Sequence, residues 1–213
     1  MPTCLLFDSD GTLVDSELLN NDALSAELAD SGINETADRL VSRYRGWNFF
    51  KVLPDLQQRH NVVLDDSFTE RFRERASQHF SEHLLPVNGI ESALSELDHP
   101  KCVASNAPMK KLRHVLEVTG LYRHFTDRLY SAYEINSWKP ALGLFLHAAA
   151  RMGFEPGQCI VVEDSEVGVE AACAAGMSVV LYDPAGISPH IHANETIASM
   201  LQLPDAVARL SRN

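Results

Sequence analysis

The feature that most constrains this chain is a set of short apolar runs, each ending abruptly in polar residues. Cys4-Leu5-Leu6-Phe7 ends in Asp8-Ser9-Asp10-Gly11-Thr12, Cys102-Val103-Ala104 in Ser105-Asn106-Ala107-Pro108, and Ile160-Val161-Val162 in Glu163-Asp164-Ser165. Continuous runs of this length are too short for helices and suit strands buried on both faces of a parallel sheet. Residues 177–182 read as a further strand and 128–131 as a weaker one. Helical spacing fills the gaps: Ile90, Ala93, Leu94 and Leu97; Leu112, Val115, Leu116 and Val118 after Pro108; Leu142, Phe145, Leu146 and Ala149 after Pro140. In the last two, the proline suits an early helical position. Val167, Val169, Ala171, Ala172 and Ala175 then run to Gly176, a C-terminal stop. The alternation predicts an α/β fold built on βα repeats.

Residues 16–84 break the alternation. Leu18, Leu24 and Leu28, then Phe49, Phe50, Leu53 and Leu56, then Phe68, Phe72, Ala76 and Phe80 keep helical spacing with no strand-like run between them. This predicts an all-helical insertion of about 70 residues after the first strand. The core is then 1–15 with 85–213, and Pro86 and Gly89 punctuate the return.

With 45% apolar and 22% charged residues among 213, the composition is that of a globular protein. No apolar run reaches the length of a membrane span, and with no basic region and no small-residue cleavage site after a hydrophobic stretch at the N-terminus, no signal peptide is expected. A cytoplasmic protein with no membrane partner is expected. A net charge of −11 argues against nucleic acid as a partner, while leaving room for a locally positive site. Cys4, Cys102 and Cys159 each open an apolar run and read as reduced, buried thiols. Cys173 is expected to pack its helix against the sheet.

The chemistry concentrates where the strands end, which is where open parallel sheets bind ligands. Asp8 and Asp10 lie two residues apart, so in an extended segment their side chains leave on the same side. Asp8, Asp10, Glu163 and Asp164 are then expected to converge. Gathered carboxylates need a cation, and an all-oxygen set points to a hard ion, Mg²⁺ being the usual choice. The alternative is that these groups cap helices, since Asp8 and Ser105 both precede helical or turn segments.

Asp8-Ser9-Asp10-Gly11-Thr12-Leu13-Val14-Asp15-Ser16 resembles the first motif of the haloacid dehalogenase superfamily of phosphotransferases. Ser105-Asn106 resembles its second motif, Lys139-Pro140 its third, and Glu163-Asp164-Ser165 with the following Gly168 and Gly176 its fourth. The order and spacing match across the chain. The resemblance implies a Rossmann-like parallel sheet flanked by helices, with a small helical cap of the C1 type inserted after the first strand. It also implies a Mg²⁺-dependent phosphatase acting on a small phosphorylated metabolite through an aspartyl-phosphate. Asp8 would be the nucleophile, Asp10 the acid and base, and Ser105, helped by Asn106, a donor to the phosphoryl group. Lys139 would neutralise charge. Asp8, Asp164 and the Asp10 backbone carbonyl would hold the metal, with Glu163 joining them or orienting a water. In the cap, Arg45 and Gly46 are the candidate substrate-binding residues, and a monomer or weak homodimer is expected.

Dehalogenases of this fold lack the second aspartate, so Asp10 speaks for phosphate chemistry. Sugar phosphate mutases carry valine where this chain has Thr12 and a histidine near Asn20, which favours hydrolysis. A catalytically silent phosphate-binding module is the remaining alternative. The third motif departs from many relatives, because Ala141-Leu142-Gly143 replaces an expected acidic continuation. The stretch from Tyr130 to Ala149 is similar to a bacterial 6-phosphogluconate phosphatase subgroup.

Overall fold

The computed structural model describes residues 3–44, 49–188 and 191–212. The chain divides into two compact units, Met1–Asp15 with Pro86–Asn213, and Ser16–Leu85. In the first unit, β1 is Cys4–Phe7. The second unit holds α1 (Glu17–Asp30), α2 (Ala37–Tyr44), α3 (Phe49–His60) and α4 (Phe68–His83). The chain then returns to the first unit through α5 (Ile90–Glu96), β2 (Lys101–Ser105), α6 (Met109–Val118), α7 (Tyr122–Phe125), β3 (Leu129–Ser131) and α8 (Ala132–Ile135). It ends with α9 (Gly143–Met152), β4 (Cys159–Glu163), α10 (Glu166–Ala174), β5 (Ser178–Tyr182), β6 (Glu195–Ile197) and α11 (Leu203–Leu210).

The strands form one six-stranded sheet in the order β3-β2-β1-β4-β5-β6, and every pairing is parallel. The expected α/β, Rossmann-like architecture is therefore present. β1 lies at the centre because it is apolar throughout and buried along its whole length, and β2 and β4 beside it are buried along theirs. The direction of winding reverses at β1. That puts the switch point, the crevice that open α/β sheets use for ligands, between the ends of β1 and β4.

Alternate strand residues serve two cores. Leu6, Ala104, Val161 and Val179 pack with Leu144, Phe145 and Ala148 of α9 and Val169 and Ala172 of α10. Phe7 points the other way and meets Phe125 of α7 edge to face, with ring centroids 5.7 Å apart. Burying each large apolar side chain contributes about 1.5–3 kcal/mol. Cys4, Cys102 and Cys159 are free and buried, as expected. The hydrogen bond with Cys102, with burial, pushes Cys4 up to about 12 against the pull of Cys159, so it is an unreactive filler. Cys173 is also free but exposed, which corrects the expectation that it packs its helix.

Three expectations about local structure need adjustment. Pro140 lies outside the helix it precedes, which starts at Gly143 with Leu142 at its N-cap. Met177 precedes its strand rather than opening it. The short β6 and the helix α2 carry no periodicity long enough to be read from sequence. No helix among the described residues is long and apolar enough to cross a membrane.

Candidate active site

The site grows from the end of β1. The Asp8 backbone N–H donates to the Val162 carbonyl at 3.0 Å, so the ladder to β4 runs one residue past the strand and aims Asp8 from a fixed base. The chain then turns tightly. Leu13 and Val14 N–H groups donate to the Ser9 carbonyl, and Gly11 N–H donates to the Val14 carbonyl at 2.9 Å. Gly11 has φ +84°, and a Cβ there would lie 2.3 Å from Asp164 Oδ2. Glycine is needed both for the turn and for the space that Asp164 fills. Thr12, fully buried, donates its hydroxyl to Asp164 Oδ1 at 3.2 Å.

Asp8, Glu163 and Asp164 bring carboxylate oxygens within 4.8 Å of one another. Lys139, 5% exposed, answers two of them, donating to Asp8 Oδ1 at 2.5 Å and Glu163 Oε1 at 2.7 Å. Its ammonium also lies 4.8 Å from the centre of the Phe145 ring, which closes the site from below with a cation–π contact. Burial pushes the Asp8 carboxyl up to about 7, with Glu163 adding to the rise and Lys139 pulling against it. Burial works against the Lys139 charge too, but Asp8 and Glu163 outweigh it and hold the ammonium above its ordinary range.

One ammonium against three carboxylates leaves negative charge in excess, and the donors are all oxygens in a small volume. The residues fit a hard divalent ion such as Mg²⁺. Glu163 is more committed. It is fully buried, and its Oε2 accepts from the Asp164 and Ser165 backbone N–H groups and from the Ser165 hydroxyl.

Asp10, Ser105 and Asn106 stand at or just past the ends of β1 and β2. The Asp10 carboxylate accepts from Lys111 Nζ at 2.9 Å, and its charge adds to the rise of the Asp8 carboxyl. Ser105, 2% exposed, ends β2 beside β1, and its hydroxyl accepts from Ala107 N–H. Asn106 ties down the Lys139 backbone. Its Oδ1 accepts from Lys139 N–H at 2.9 Å and its Nδ2 donates to the Lys139 carbonyl at 3.4 Å. Neither Asp8 nor Ser105 caps a helix; Ser165 does, accepting from Gly168 N–H. Arg45 and Gly46, together with Trp47 and Asn48, lie outside the described residues. Sequence reasoning missed Lys111 and Phe145, and used Thr12 only to separate families. Lys111 left one signal, a lysine in the first turn of a helix, where the dipole disfavours positive charge.

Known proteins resemble this chain. The haloacid dehalogenase-like hydrolase family matches residues 5–182. The chain is 32% identical over 205 residues to 6-phosphogluconate phosphatase of Escherichia coli (strain K12), covering 94% of this chain and 92% of that one. It is 29% identical over 181 residues to fructose-1-phosphate phosphatase of the same organism, covering 83% and 94% respectively. Among solved structures, a haloacid dehalogenase-like protein of unknown function from Agrobacterium tumefaciens (strain C58) superposes with a TM-score of 0.84. The two are 28% identical, over 99% of this chain and 100% of the other. With most of its length matched by the family and four motifs gathered at one sheet edge, the chain belongs to the haloacid dehalogenase-like hydrolases.

Proposed function

We propose that the protein is a Mg²⁺-dependent phosphatase that takes the phosphoryl group of a small phosphorylated sugar or sugar acid onto Asp8 and passes it to water. The observation that carries this reading is Asp8 itself, a carboxylate at the switch point of the sheet with the Lys139 ammonium 2.5 Å away and Asp164 alongside. An Asp8 oxygen attacks phosphorus as the bond to the leaving oxygen breaks, and Asp10 gives that oxygen its proton. Asp10 then takes a proton from water, whose oxygen attacks phosphorus and frees Asp8 and inorganic phosphate. Lys139 balances charge on Asp8 and the phosphoryl group, and the Ser105 hydroxyl donates to it. Asp8, Asp164 and the Asp10 carbonyl would hold Mg²⁺, with Glu163 next to them, and the bound ion would offset the charge of the phosphoryl oxygens.

Selection among substrates is assigned to the helical unit, through Arg45 and Gly46. The names of the relatives, phosphatases of 6-phosphogluconate and fructose 1-phosphate, support a sugar or sugar-acid phosphate. On this reading the enzyme is cytoplasmic, a monomer or weak homodimer, and engages no nucleic acid.

The test is phosphate release from a generic aryl phosphate with Mg²⁺. Release is expected to stop with EDTA, return with excess Mg²⁺, and fall at least about a thousandfold in Asp8→Asn. Metal-independent release, or undiminished release by that variant, would sink the proposal. A panel of sugar phosphates, sugar-acid phosphates and nucleotides then identifies the substrate. Conversion of a sugar 1-phosphate into its 6-phosphate would replace hydrolysis by mutase chemistry.

A further inference from the structure

We propose that Lys111 is a positioning residue for Asp10, its ammonium fixing the Asp10 carboxylate for proton transfer in the phosphatase reaction proposed above. The contact is 2.9 Å between Lys111 Nζ and Asp10 Oδ2, and the two side chains are only 25% and 34% exposed. A pair sheltered to this degree is screened less than one on the open surface.

The setting of Lys111 has no local explanation. α6 has Lys110 and Lys111 in its first turn and no acidic residue there, which opposes the helix dipole. Lys110 is exposed to solvent, while Lys111 is half-buried against Asp10. A local preference broken without local gain marks a residue kept for another purpose. The base of the side chain is also held firmly. Leu112, Val115 and Leu116 bury the inner face of α6, and the helix begins four residues after Ser105. Lys111 therefore moves as one body with the loop assigned to the phosphoryl group.

Lys139 and Lys111 divide the work. Lys139 is taken up by Asp8 and Glu163, the first of them the proposed nucleophile. Lys111 instead meets the carboxylate that moves protons. Losing it should thus be felt in steps that need a proton from Asp10 and little elsewhere.

The experiment compares wild type, Lys111→Met and Lys111→Arg in single-turnover phosphorylation of Asp8. One substrate is a sugar phosphate, whose alkoxide leaving group needs a proton. The other is p-nitrophenyl phosphate, whose leaving group needs none. Lys111→Met is expected to slow the sugar phosphate about 10- to 100-fold and the aryl phosphate less than about threefold, with KM within about twofold. Lys111→Arg should recover most of the loss. Equal slowing on both substrates, or a raised KM with kcat unchanged, overturns the inference. A crystal structure of Lys111→Met, or of Lys111→Gln if the first fails to fold, supplies a readout apart from activity. The Asp10 carboxylate is expected to leave its wild-type place; finding it unmoved overturns the inference. That readout stands even if wild type releases no phosphate, the result that sinks the phosphatase reading alone.

Discussion

A Cβ built at Gly168 would lie 1.8 Å from Glu163 Oε1 and 1.9 Å from the carboxyl carbon. Nothing larger than glycine fits at that point on α10 while Glu163 reaches Lys139. The displaced group would be a buried carboxylate that accepts from an ammonium, two backbone N–H groups and a hydroxyl. Gly168→Ala is therefore expected to destabilise the protein by about 1–3 kcal/mol in urea unfolding and to lower aryl phosphate turnover. Gly157 has open space around its absent Cβ and serves as control, Gly157→Ala staying within about 0.5 kcal/mol of wild type. If the two variants behave alike, the packing argument around Glu163 fails.

Between elements, the helical unit has one charged joint worth isolating. Glu27 of α1, 2% exposed, accepts from Arg71 at 2.6 Å and Arg75 at 3.2 Å, both on α4. The arginines reach outward to Asp65 and Asp30, whereas the carboxylate is sealed in the α1–α4 interface. Removing both arginines leaves a buried charge unanswered, with an expected loss of about 3–5 kcal/mol. Glu27→Met removes the charge itself and leaves arginines that water can solvate. It should cost clearly less than the double variant Arg71→Ala/Arg75→Ala. Circular dichroism during urea unfolding ranks the two, and the reverse order would show that the carboxylate is not the expensive partner.

For the whole molecule, the geometry of the insertion matters most. Val14 and Pro86 form an antiparallel bridge, and Val87 N–H donates to the Leu13 carbonyl at 2.9 Å, so the core brings its two broken ends side by side. Closing them with a short Gly/Ser turn in place of residues 16–85 involves little loop entropy. The shortened protein is expected to unfold cooperatively in a thermal scan and still release phosphate from an aryl phosphate. Its discrimination among sugar phosphates should be lost. An unfolded product would mean that the core depends on the insertion for stability.

What sequence alone determined was the local part of this design. Apolar runs with polar tips announced β1, β2 and β4, because burial on both faces writes itself into consecutive residues. Asp8, Glu163 and Asp164 were legible for the same reason, each standing at a strand end, whereas Lys139 was identified only by its resemblance to the family's third motif. β6 and α2 were not, having one and two buried residues to signal them. Only the tertiary structure decided the partners. Lys139 reaches Asp8 across 131 positions and Lys111 reaches Asp10 across 101, after crossovers that no local pattern encodes. The hold of Asn106 on the Lys139 backbone, across 33 positions, follows the same rule. Where a side chain points depends on the packing beneath it, and in a parallel sheet that packing comes from distant parts of the chain.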